Sequence, residues 1–194
     1  GMVASSKWKR ISFFFDLQAR IFINLSDAIT TVSKKDMRIV SRLIENKKKI
    51  FYIPNGVNQT EFNMKPQDRL VFAAGRIIRS KGCDLLLKAL TNINYQGKLL
   101  VLGDINQKAS YKKELYTLAN NLDVEFMGLI RKKDTLFKLI ASSKLFVYPT
   151  KLESMSMMML EVASLCTPMI CSDITENQDI FDQDEVLFFS SGIV

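Results

Sequence analysis

Histidine is absent from all 194 residues, which removes every His-based catalytic triad and the usual zinc spacings. Cysteine is scarce. Cys83, Cys166 and Cys171 form no CxxC pair, and an odd count fits reduced thiols inside a cell better than a disulfide framework. No apolar run approaches the ~18 residues of a membrane span. Nor does the chain open on a signal peptide, since "SFFF" is short and soon followed by Asp16 and Arg20. A soluble, cytoplasmic protein is expected. Internal repeats and low-complexity tracts are missing as well, which excludes solenoids and disordered arrays.

What is present is the composition of a globular chain: 47% hydrophobic and 24% charged residues, far from the signature of disorder. Lys and Arg number 27 against 20 Asp and Glu, a net charge of +7 that suits a phosphorylated ligand, a nucleic acid or an acidic lipid surface. The positive residues fall in short clusters, "KWKR", "NKKKI" and "IRKKD", without the interleaved aromatics that stack bases. They read as a solvated surface. No nucleic-acid partner is expected, and peripheral contact with the inner face of a membrane stays open.

The chain begins with an amphipathic stretch, "ISFFFDLQARIFINLSDAITTVS", that ends in the β-branched run "AITTV". Ser33 is placed to cap a helix over "KKDMRIVSRLIENKKK", with lysines in the last turn where the dipole favours them. A short strand "IFYI" meets the turn "PNG". Beyond Pro66, strands are expected at "RLVFAA", "KLLVLG", "VEFMG", "LFVYP" and "PMICSD", separated by helices near 82–92, 110–121, 133–142 and 157–166. Continuous apolar strands alternating with helices indicate an α/β fold, a doubly wound and mostly parallel sheet covered on both faces. Such sheets bind ligands at the carboxyl ends of their strands.

Two loops are candidates. "GRIIRSKG" places Gly75, Arg76, Lys81 and Gly82 after a strand and ahead of a helix, where free backbone N–H groups and the dipole would join two cations in holding phosphate. It is neither the dinucleotide nor the Walker glycine pattern. Taken alone, the two cations fit a solvated surface as well. In "LESMSMMMLEVA", Glu153 falls in a loop and Glu161 in the early turns of the next helix. Were the whole span helical they would lie about 12 Å apart at 1.5 Å per residue, too far for paired acid and base work around one glycosidic bond. Each carboxylate can instead accept two hydrogen bonds from a vicinal diol, and two diols separated by a diphosphate describe a nucleotide sugar. The alternative is that both are ordinary first-turn acids. The methionines read as packing, with Met158, Val162 and Leu165 on one buried face.

In order, "AITTVSKKD…IFYIPNGVNQTEF", "AAGRIIRSKGCDLLLKAL", "LVLGD", "VEFMGLI" and "LFVYPTKLESMSMMMLEVASLCTPMICSD" resemble the carboxyl-terminal half of the group 1, or family 4, glycosyltransferases. These are retaining enzymes of the two-Rossmann-domain type, and this half binds the nucleotide-sugar donor. The resemblance implies that Glu153 holds a hydroxyl of the transferred hexose and Glu161 the ribose hydroxyls. It gives the backbone amides of Met155, Ser156 and Met157 to the sugar and diphosphate, Arg76 and Lys81 to the leaving diphosphate beside Gly75, and the main chain of Ile130 to the base. It implies no bound metal and no cofactor, only a donor substrate, a UDP- or GDP-sugar.

The sequence departs from the family where many members have E-G-F-G: here Glu153, Ser154, Met155 and Ser156 put serines in place of glycines that can take positive φ. "LGDINQK" lacks a second glycine. Residues 2–58 resemble the tail of the acceptor domain and the linker, and residues 59–194 the Rossmann-like donor domain without its final helices. The expected function is hexosyl transfer with retention to a glycan, polysaccharide or lipid-linked acceptor, which a missing amino-terminal domain would bind; this half alone should be inactive. The alternative is a non-catalytic nucleotide-sugar-binding or partner-docking module. A nicotinamide enzyme is disfavoured by the absent glycine fingerprint. The "DQD" at 182–184 lies in a polar loop and reads as solvated acids.

Overall fold

A computed structural model of the chain describes residues 17–44, 46–59, 62 and 64–190. The chain divides into two compact units, Gly1–Asn55 and Gly56–Val194. In the first, residues 17–25 are helical (α1), followed by β1 (Ile29–Thr31), α2 (Lys34–Ser41) and β2 (Ile50–Tyr52). Residues 11–16 of the expected opening helix lie outside the described residues. β1 and β2 pair in parallel, with Ile29 opposite Ile50. Ser33 caps α2 as expected, its Oγ accepting from the Asp36 N–H at 3.0 Å.

The helix expected to run on to Lys49 stops at Ser41. Lys47–Lys49 form a separate 3-10 turn because the Asn46 side chain accepts from the Lys48 N–H at 3.1 Å, a local bond that competes with helix continuation.

The second unit is built from β3 (Gln67–Arg76), α3 (Cys83–Asn92), β4 (Lys98–Asp104), α4 (Ala109–Leu118), β5 (Val124–Gly128), α5 (Lys133–Ala141), β6 (Ser143–Tyr148), α6 (Met157–Ser164), β7 (Met169–Ser172), α7 (Thr175–Gln178) and β8 (Leu187–Phe189). Its six strands lie in the order β5-β4-β3-β6-β7-β8, all neighbours parallel. The middle strands read as unbroken apolar runs because both faces are covered: Val71, Phe72, Leu99, Val101 and Phe146 are all buried.

The chain starts the sheet at β3, winds outward to β5, then returns to β6 on the other side. This order is that of a Rossmann fold, and its reversal between β3 and β6 opens a crevice at their carboxyl ends. Both candidate loops emerge there.

Two elements had no clear sequence signal. α7 covers "TENQ", without apolar periodicity; it is held instead by the buried Asn177, whose Nδ2 donates to the Ser172 carbonyl at 2.9 Å. β8 is three residues long and edges the sheet beside β7. On the helix face expected from Met158, Val162 and Leu165, the last two are buried and Met158 is half-buried against the core while also lining a cavity; Met159 is fully buried beside them. Among the described residues no helix is long and apolar enough to cross a membrane.

Candidate functional site

The loop after β3 is drawn into place by its own polar residues. Its 3-10 turn, Arg79–Lys81, ends at Gly82 with φ +76°, and α3 begins. Arg79 bonds Glu114 of α4 and reaches Asp84 at 3.3 Å, with its guanidinium 4.9 Å from the centre of the Tyr111 ring. Asp84 is buried and accepts from the Tyr111 hydroxyl at 2.7 Å. Burial, and then the bond to Asp84, push the Tyr111 phenol well above its ordinary pKa, so it stays a donor.

The loop after β6 is tied to the same turn, since the Lys151 N–H donates to the Ser80 carbonyl at 2.7 Å. That tie brings Lys81 beside Glu153: Nζ lies 2.5 Å from Oε1, with side chains 23% and 9% exposed. The Tyr148 hydroxyl donates to the same oxygen at 2.7 Å, and Thr150 Oγ1 lies 3.0 Å from it. The second carboxylate, Glu161, sits on α6 with its side chain 11% exposed and its Oε1 2.7 Å from Lys133 Nζ. In both glutamates Oε1 is occupied. Among the described residues no donor is placed on either Oε2.

Gly75, Lys81, Glu153, Met155, Ser156, Met157 and Glu161 line one open cleft of about 260 Å³. Ile130 lies in an adjoining apolar slot, shared with Gly75, Leu102 and Met158. Arg76 stands apart: it ends β3 exposed, opposite Asp104 of β4, and lines neither cavity. A second cleft of about 240 Å³, lined by Asn58, Lys133 and Phe137, meets the first at Met157 and Glu161.

The serines that replace glycine impose no strain. Among the described non-glycine residues only Asn94 and Cys166 have positive φ. Ser156, at φ −75°, caps α6 by accepting from the Met159 N–H at 3.4 Å. Asp182 and Asp184 of the "DQD" triplet are exposed in a turn before β8.

Sequence reasoning passed over Lys133, Tyr148 and Thr150. Lys133 lay inside a cluster read as surface. The signal for Tyr148 was present: a tyrosine closing a buried strand needs a partner for its hydroxyl.

The switch-point crevice of this parallel sheet gathers a cation, two carboxylates and the start of a helix, the groups that suit an anionic, hydroxyl-rich ligand. Residues 56–193 match the family described as glycosyl transferases group 1, and the chain belongs to that family. It is 26% identical over 167 residues to an uncharacterized glycosyltransferase of Methanocaldococcus jannaschii, a match that covers 75% of this chain and 42% of that protein. Among solved structures it resembles Anabaena HepE in complex with UDP and glucose, with TM-score 0.76, 16% identity and coverage of 90% of this chain and 53% of that one. The sucrose-phosphate synthase of Thermosynechococcus elongatus gives TM-score 0.75 at 21% identity, covering 91% of this chain and 48% of that one. At these identities the structural likeness is one of fold. The chain spans less than half the length of the M. jannaschii relative.

Proposed function

We propose that the second unit binds a nucleotide-diphosphate sugar across the cleft and serves as the donor half of a retaining hexosyltransferase. The observation that carries this reading is the convergence of Lys81, Glu153 and Glu161 on one cleft at the switch point of the sheet. Glu161 takes the ribose hydroxyls and Glu153 a hydroxyl of the sugar, each through its open oxygen. The backbone of Met155, Ser156 and Met157 faces the sugar and diphosphate, and the main chain of Ile130 meets the base. Lys81, with Arg76 swinging in from the rim, neutralises the leaving diphosphate, a developing charge that a fixed cation stabilises best where water is scarce. UDP is favoured as the nucleotide because a structural relative carries UDP with glucose; GDP is the competitor.

Transfer to a glycan, polysaccharide or lipid-linked acceptor requires a further acceptor-binding domain, and these 194 residues alone are proposed to bind donor without transferring it. Titration calorimetry with UDP-glucose, GDP-mannose and NAD tests the reading. Heat is expected with one of the two sugar nucleotides and none with NAD. A response to NAD equal to theirs, or no response to either sugar nucleotide, overturns it.

A further inference from the structure

We propose that Tyr148 is a positioning residue for Glu153, filling one carboxylate oxygen so that the other is the single acceptor offered to the sugar. The proposal rests on the reading above, in which Glu153 faces the hexose.

The geometry is one-sided. Tyr148 closes β6 and is 2% exposed. Its ring is stacked on Phe146, centroids 5.7 Å apart, and flanked by Phe72 at 6.4 Å. The hydroxyl lies on the ring axis, so flipping the ring does not move it. That hydroxyl has one proton, and Glu153 Oε1 at 2.7 Å is its acceptor. Among the described residues, its further polar neighbours donate to it: Lys81 Nζ and the Ser156 hydroxyl, each at 3.3 Å. Thr150 is a less committed donor, because its single proton has the Ser80 and Leu152 carbonyls within 3.2 and 3.3 Å as competing acceptors. Burial and the adjacent carboxylate push the Tyr148 phenol well above its ordinary pKa, so the donor persists across the working range.

With Oε1 filled, Glu153 cannot chelate a diol with both oxygens. It presents Oε2 alone, acceptor-only while ionised, and so selects a sugar whose hydroxyl donates at that point. Without the Tyr148 hydroxyl, Oε1 keeps Lys81 at 2.5 Å and Thr150 at 3.0 Å but loses its one donor fixed by a buried ring, and the aim of Oε2 loosens.

The experiment measures Kd for UDP and for UDP-glucose with wild type, Glu153→Ala, Tyr148→Phe and the double variant, or for GDP and GDP-mannose where the titration above selects guanosine. The phenylalanine keeps the ring and its packing. Tyr148→Phe is expected to weaken UDP-glucose binding about tenfold, as for loss of a hydrogen bond to a charged group, and to leave UDP binding unchanged. In the Glu153→Ala background the same change is expected to add nothing. Equal loss for UDP and UDP-glucose would reveal a merely structural tyrosine, and no loss for either would remove its role; both overturn the proposal while leaving the donor site standing. If Glu153→Ala does not weaken UDP-glucose relative to UDP, the placement of the sugar on Glu153 fails, and this proposal fails with it.

Discussion

Replacing Gly82 with alanine is expected to destabilise the chain by roughly 3–5 kcal/mol, the sum of a left-handed backbone without glycine and an overlap in a packed site. Gly82 sits at φ +76°, and an added Cβ would fall 1.8 Å from the Pro149 carbonyl oxygen. Nothing flexible can yield there, because the obstacle is backbone. The close approach serves the site: it lets the turn bearing Lys81 lie against the loop bearing Glu153, the junction that the Lys151 to Ser80 bond then holds. Against a total stability of about 5–15 kcal/mol, the loss is large enough to read in a urea titration. Gly75→Ala is the control, since its Cβ would meet nothing within 4 Å, and a change within about 0.5 kcal/mol is expected. Equal effects of the two substitutions would mean that the Gly82 contact is not as described.

Lys81→Met is expected to act twice. It removes the cation proposed to face the diphosphate, which should weaken nucleotide binding about a hundredfold, in line with truncation of a buried charged partner. It also leaves the Glu153 carboxylate, 9% exposed, without its counter-charge. Breaking a buried pair from one side costs about 3–5 kcal/mol, and the hydroxyls of Tyr148 and Thr150 place the expected loss near the lower figure. The two effects separate in the double variant Lys81→Met/Glu153→Gln. Removing both charges should restore most of the stability, but binding should stay lost. Chemical denaturation and calorimetry on the three proteins check this. Recovery of binding in the double variant would show that Lys81 serves only the ion pair.

The sheet was legible in the sequence because a parallel sheet covered on both faces demands continuous apolar strands, and "LVFAA", "KLLVL" and "LFVY" are such runs. The loops between them were legible by another route. Gly75, Lys81, Glu153 and Glu161 are far apart in sequence, and composition alone left them as surface charges or first-turn acids. The family resemblance gave them one site, and the fold places them around one cleft.

What remained hidden depends on local competition and on partners distant in sequence. Asn46 caps a separate 3-10 turn where periodicity would have continued the helix. Met159 is fully buried on α6, while Met158 divides its contacts between the core and the cleft. Lys133 reaches Glu161 across 28 positions, 161 minus 133, a pairing with no local trace. Arg76 shows the opposite case: its place after the strand was legible, yet its side chain is exposed outside both cavities.

The central claim, one nucleotide-sugar cleft with Glu161 at its ribose end, is tested most directly by thermal denaturation with and without UDP-glucose or GDP-mannose in wild type and in Glu161→Ala. At a hundredfold excess over Kd, binding stabilises the native state by about 2.7 kcal/mol. The account predicts an upward shift of the wild-type midpoint with at least one of the two ligands, and its loss in Glu161→Ala at the same ligand concentration. An equal shift in both proteins would contradict it, as would no shift in the wild type with either ligand.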